Sequence, residues 1–496
     1  MAAAKATLPP TTDAGTADRR RAAVHARTAT GRQVRTVYLR HARVLCPPRA
    51  GPATEAGTSE PKRRRHPMTP SASVRSIPTP RSLALATLLL AFAPTPLWAQ
   101  PTPKAPGVQR TAQAATTKNT PAPPPRQRAA RAEPAAAAGN GLRWRYNGRV
   151  QADHARFDGV YGRDGGAHSA TYLRRGTLGG SVQWHPQWRA AGAIEMDSEG
   201  KLALDSLAVA WSPRDRLTLR AGRIDPDFGL EHSTSSSWTW GVERSAIWDL
   251  APDLADAGKG AGLRVDAHGG DWQASAGVYD KRGHGAAVAR AVWRPLDSPG
   301  RRLHLGASVA GSFGWQDDGR IRTRLGVRGV TEDPLGRRST LGAAAPTPGA
   351  YDGDSSVGVE ALWQQGPFTV QAEALQRRLA AKGDAGGPGS RTAQGTYLLL
   401  AWAITGEPRR YDDERARLRS AGPANTRWGA WEVFYRVDGL DVSDGASATV
   451  HTAGLGWTAE DTWRAMLNVH SARSGDANVP GQHTGMGLSA RLQAVF

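Results

Sequence analysis

Thiols are almost absent from this chain of 496 residues: its one cysteine is Cys46. No intrachain disulfide can form, and a body without thiols suits an oxidising compartment, where stray thiols cross-link. Long apolar runs are missing too. Mean hydropathy is −0.48, and no stretch after residue 100 reaches the ~20 consecutive apolar residues that a transmembrane helix needs. That absence leaves open a span built from strands, in which only alternate residues face lipid. Catalytic constellations are lacking as well. Histidines such as His154, His232, His268, His284, His304, His451, His470 and His483 are scattered. There is no Gly-x-Ser-x-Gly segment between a strand and a helix and no His/Cys/Asp cluster at metal spacing. An enzyme is not expected, and neither is a cofactor or a metal.

Charge is abundant but uneven. The formal charge is +20, of which +12 falls in residues 1–99 and +8 in the remainder. Residues 1–67 are rich in Ala, Arg, Thr and Pro and carry the basic run Lys62 to Arg65. That run could be a nucleic-acid patch; the bland alternative is an extension upstream of the true start, and the residues that follow favour it. Met68, Arg75 and Arg81 precede the apolar run Leu83–Phe92, and Leu97-Trp98-Ala99 closes it. This is the layout of a secretory signal peptide over 68–99, cut after Ala99. Much of the basic excess therefore lies outside the expected mature chain, and a nucleic-acid partner is not expected. Residues 100–140 are Pro/Ala/Thr-rich, with Pro121, Pro123, Pro124 and Pro125, and carry too few large apolar residues to build a core. They are expected to form a disordered linker.

From 141 to 496 the texture changes to alternation. In Leu142–Val150, Val357–Trp363, Trp431–Val437 and Trp463–Val469, apolar residues occupy every second position. The chain ends on such a strand, with Met486, Leu488, Ala490, Leu492, Ala494 and Phe496 on one parity. A period of two marks a strand with one apolar face. A soluble β-sandwich could also end this way, but a strand stopping at a terminal aromatic suits a barrel that closes on its first strand and leaves no edge in lipid. Short connections such as Ser212–Asp215 alternate with long ones such as 337–354, 382–392 and 407–426, as in a barrel with turns on one side and loops on the other. At ~20–23 residues per strand and connection, this predicts an all-β transmembrane antiparallel barrel of about 16 strands. Sixteen of 17 tryptophans follow residue 99, and the other, Trp98, lies in the expected leader. Trp144, Trp184, Trp211, Trp293, Trp402 and Trp457 sit at strand ends, as membrane-interface girdles would, although a Trp-rich sugar-binding surface has the same composition.

If the apolar parity faces lipid, the other faces water. It carries Arg143, Arg145, Arg149, Arg220, Arg436, Arg464 and Arg491. A guanidinium is permanently charged and offers a planar fork of donors to oxyanions. A lumen lined this way favours anions, with partial pairing to inward acids such as Glu360, Glu373 and Glu432.

One stretch carries a resemblance. Arg220 to Arg244 contains Phe228-Gly-Leu-Glu231, Thr234-Ser-Ser236 and Glu243-Arg244; further on come Ile404–Tyr411, Gly429–Glu432 and Arg491–Phe496. Taken in this order, these segments resemble the phosphate-selective porin family (porins O and P) of the bacterial outer membrane. The resemblance implies a 16-stranded barrel, usually a homotrimer in outer-membrane lipid, with a loop within 228–244 folded inward to narrow the pore. It implies an anion site near Ser235, Ser236 and Arg244, with Arg174 and Arg175 as paired arginines and Asp205 as their acidic partner. Arg220 joins this set by strand parity. His232 stands where the phosphate-specific members carry a constriction lysine. An imidazole, with an unperturbed pKa near ~6.5, is a weaker phosphate ligand, and Asp225, Asp227 and Glu231 dilute the loop's charge further. Strand parity puts Arg174 off the lumen face of Arg175, at the rim or beside a bulge, and marks a change of phase at Asp205 that a bulge would explain. The expected activity is passive diffusion of small anions, inorganic phosphate or pyrophosphate first. The alternatives are a porin of the same family with a broader or different solute range and a structural or adhesive outer-membrane barrel.

Overall fold

The computed structural model describes residues 141–496 apart from 163–164, 253, 255–259, 282, 329–338, 384–388, 424–426 and 478, and the side chains of 479–482. The expected extension, signal peptide and linker lie outside the described residues. Twenty strands follow in order: β1 (Arg143–Phe157), β2 (His168–His185), β3 (Trp188–Met196), β4 (Leu202–Arg214), β5 (Leu217–Ile224), β6 (Gly260–His268), β7 (Trp272–Lys281), β8 (His284–Ser298), β9 (Arg301–Phe313), β10 (Ile321–Thr323), β11 (Ser339–Gly342), β12 (Tyr351–Gln365), β13 (Phe368–Ala381), β14 (Arg391–Ala403), β15 (Tyr411–Asp412), β16 (Arg417–Leu418), β17 (Ala430–Val442), β18 (Ala448–Ala459), β19 (Trp463–Asp476) and β20 (Val479–Val495). Sixteen of them close an antiparallel barrel; β10–β11 and β15–β16 are two small two-stranded sheets that are not part of its wall.

Alternation fixes the two faces. On β14, Leu400 and Trp402 are exposed on the outside while Tyr397, Leu399 and Ala401 are buried inside. Closure pairs β1 with β20, Arg149 opposite Val495. Beyond the ladder, Gly148 N–H donates to the Phe496 carbonyl at 2.7 Å and Phe496 N–H returns to Gly148 O at 3.0 Å. A Cβ at Gly148 would lie 2.4 Å from the Phe496 ring, so a glycine there lets the terminal aromatic lie against the first strand.

Two expectations change. The tryptophans do not make girdles at both ends. Trp184, Trp188 and Trp211 stack in succession, Trp272 pairs with Trp293, and Trp431 pairs with Trp457, all beside the short turns. The belt is one-sided, at the end that is periplasmic in barrels of this kind. The segment 404–429 is not one of the loops of the opposite side. It leaves β14 at the end where Phe368 pairs with Trp402, hence on the turn side, and its β15–β16 hairpin climbs into the lumen. Arg294 and Arg290 on β8 hold it there through the carbonyls of Asp413, Arg415 and Ala416.

The connection between β5 and β6 also turns inward. It carries a one-turn helix, α1 (Leu230–Ser233), and a 3-10 turn at Ala246–Leu250. Gly229, at φ +73°, precedes α1; a Cβ there would meet Trp248 at 2.4 Å. Phe228, Leu230, Ile247, Trp248 and Leu250 are buried among Leu375, Leu379 and Tyr397 of the β13–β14 wall. This loop and the turn-side hairpin thus fill one half of the lumen and leave the β1–β5 half open.

Candidate anion site in the lumen

The inward loop is pinned to the far wall. Glu373 on β13 accepts the N–H groups of Leu230 and Glu231 at 2.8 and 2.7 Å, satisfying the start of α1, and Tyr397 donates to the same carboxylate. Glu231 pairs with Arg436 at 3.2 Å, and Asp438 accepts from Ser245 and holds Arg436 at 3.1 Å. Asp227 pairs with Arg290 at 3.1 Å and accepts from Ser233 and Ser275. Burial would raise the Asp227 carboxyl, but Arg290 and Arg264 outweigh it and hold it well below the usual range. The expectation that loop acids dilute the pore charge therefore needs correcting: Asp227 and Glu231 are committed to wall arginines, while Asp225 lines the open cavity.

Facing the β1–β5 wall is a cavity of about 740 Å³ lined by nine Arg or Lys and five Asp or Glu residues. It brings together Arg174, Arg175, Asp205, His232, Ser235, Ser236 and Arg244. Arg220 lies outside it, on the next cavity toward the turns. The ladder skips Arg174 at the register shift between Gln151 and Ala152, and both arginines of the pair line the cavity. A second shift, between Ala193 and Ile194, makes the ladder skip Asp205. Each is a one-residue bulge that re-aims a side chain.

Within the cavity, Arg149 donates to Ser236 Oγ at 2.5 Å and reaches Glu195 at 3.3 Å; Arg175 reaches the same carboxylate at 3.4 Å. Glu195 is therefore a carboxylate between these arginines, in the same cavity as Asp205, which the resemblance implies as their acidic partner. Arg244 donates to the carbonyls of Glu231, His232 and Thr234 at 3.3, 3.3 and 2.9 Å. Those bonds use Nε and Nη2, and no carboxylate of the described residues pairs with it. Arg174 donates to Glu243 at 2.9 Å, and Arg328 and Arg491 approach that carboxylate at 3.4 and 3.0 Å. Burial opposes the charge on Glu243, but Arg174, Arg328 and Arg491 keep its pKa well below the ordinary value.

Toward the loop side lies a smaller cavity of about 290 Å³ that shares Arg174, Arg175, Ser236, Arg244, Arg324 and Arg328 and adds Arg320 and Arg322. Sequence reasoning did not single these out. Their signal was available: arginine at every second position around β10, the same period that marks a strand face. The described lumen is thus basic along its open side. Such an arrangement attracts anions, offers them forked N–H donors, and opposes cations by its field.

A closed antiparallel barrel of 16 strands with an apolar exterior, a charged lumen and an inward loop is an outer-membrane porin. Residues 145–496 match the family model described as phosphate-selective porin O and P, and the chain belongs to that family. Porin O of Pseudomonas aeruginosa is 34% identical over 392 residues, 71% of this chain and 88% of the relative. Among solved structures, the chain is similar to an anion-selective porin from Comamonas acidovorans (TM-score 0.47, 12% identity, 72% of this chain and 100% of that one). It is also similar to the outer-membrane channel DcaP of Acinetobacter baumannii (TM-score 0.44, 10% identity, 72% and 99%). Neither likeness extends beyond the outline of the barrel.

Proposed function

We propose that this porin passes small inorganic anions, phosphate or pyrophosphate first, by passive diffusion along the open β1–β5 side. The observation that carries the reading is the excess of basic over acidic groups in the 740 Å³ cavity, with Arg244 unpaired by any described carboxylate. Arg149, Arg175, Arg244 and the Ser235–Ser236 hydroxyls would replace part of the anion's hydration shell, and the shared Glu195 would keep binding weak enough for release. His232 supplies no permanent charge at that point, so binding should be weaker than a lysine would give. Family membership supports phosphate as the first candidate and a homotrimer in the outer membrane. We also propose that residues 68–99 are removed as a signal peptide and that 100–140 form an extended leader.

The test is planar-bilayer recording of the purified 100–496 product. The reversal potential in a chloride gradient should show anion preference, and added phosphate should block the chloride current. A cation-preferring or silent channel from folded protein would reject the reading; anion preference without block would keep the porin and remove phosphate.

A further inference from the structure

Between the inward loop and the turn side lies a second basic cavity, about 250 Å³ in volume. Its walls are different: Arg220 on β5, Arg264 and Asp266 on β6, and Arg415 and Arg417 on the turn-side hairpin. Asp266 is shared, with Arg220 at 2.7 Å and Arg264 at 3.0 Å. Arg417 donates to Ser233 O at 3.1 Å and approaches Asp412 at 3.5 Å. Arg415 is held differently. Its backbone N–H donates to Asp412 Oδ1 at 3.2 Å and its carbonyl accepts from Arg290 at 3.3 Å. Its half-buried guanidinium has no acceptor among the described residues, and it faces Arg417 and Arg264. Burial first, and then Arg417, hold its pKa below the ordinary arginine value, with Asp412 opposing them.

Asp225, His232, Ser233 and Arg417 line both this cavity and the one above. An anion leaving the upper cavity toward the turns meets this one next. We propose that Arg415, with Arg220, Arg264 and Arg417, forms a second station for a small inorganic oxyanion on the turn side of the inward loop. The station rests on the reading of the lumen as an anion path. A shared carboxylate satisfies Arg220 and Arg264 in part, and Arg415 supplies the charge left over. Two weak sites in series hold an anion in passage without trapping it at either.

The experiment uses Arg415→Gln and Arg415→Lys in the full porin, with inorganic phosphate added to one chamber at a time while chloride carries the current. The contacts that hold this position are backbone ones, so both variants should fold, as heat-modifiable mobility checks. Phosphate from the turn side should block Arg415→Gln about five-fold or more weakly than wild type, with partial recovery in Arg415→Lys, as expected for loss of one charge-assisted contact. Block from the loop side should stay within about two-fold. Equal shifts from both sides, or none, would overturn the station while leaving the proposed function intact. If wild type is blocked from neither side, phosphate passage itself fails, and chloride-over-potassium permeability decides: a drop in Arg415→Gln keeps an anion station there, and an unchanged ratio removes it.

Discussion

The two halves of the lumen use the same residue for opposite ends. On the β12–β19 side, arginines are buried against matched carboxylates: Arg377 with Asp354 at 2.7 Å, Arg409 with Glu432 at 2.8 Å, Arg436 with Glu231 and Asp438. There β14 and β17 show strict alternation of buried and outward positions. On the β1–β5 side, β2 and β3 are half-buried on both faces, and their arginines share carboxylates or line open cavities. What separates a tether from a ligand is the ratio of guanidinium to carboxylate and whether a loop covers the pair. A buried matched pair resists removal of either partner; an open, under-matched cluster is available to a passing anion.

Breaking the covered side should have the largest effect. Arg436→Ala strands Glu231 and Asp438 in the interior, where an unpaired charge costs about 3–5 kcal/mol. The inward loop should detach, and single-channel recordings should show a larger conductance without phosphate block. On the open side, Arg175→Ala should leave conductance and heat-modifiable mobility near wild type. It should weaken phosphate block about ten-fold, the worth of one charge-assisted hydrogen bond; unchanged block would erase the distinction between the halves. A smaller gain is expected from His232→Lys, which adds a permanent charge beside Ser235 and Ser236: block should tighten a few-fold, about 1 kcal/mol, and chloride flux should slow in its presence.

The smallest effect is with pH. A carboxyl depressed like Glu243 stabilises the docked loop fully above its unfolded value, about 4.3, and loses that contribution as pH falls through its lower folded value. Conductance measured from pH 7 down to about 5 should therefore carry no contribution from Glu243. Any rise at stronger acid should flatten in Glu243→Gln.

Much of the frame was legible because it depends on period-two patterning. The terminal strand, the strand number and the inward parity of Arg220, Arg436, Arg464 and Arg491 all follow from alternation. Alternation also put Arg174 off the lumen parity, at the rim or beside a bulge; the pairing of β1 with β2 shows the bulge. The pairing was not legible. Arg491 meets Asp153 at 2.8 Å across the closure, 338 residues away in sequence, and nothing local announces it. Glu195 was missed for the same reason: its partners Arg149 and Arg175 come from other strands. The side of the long connection 407–426 was misread because loop length alone suggested it; the parity of strand crossings decides it.

The most direct measurement is an anomalous-scattering map of crystals soaked with selenate, a tetrahedral oxyanion like phosphate. The predicted result is a peak within hydrogen-bond reach of Arg149, Arg175 or Arg244 and none against Arg409 or Arg436. A lumen site on the β12–β19 wall, with the β1–β5 side empty, would contradict the account.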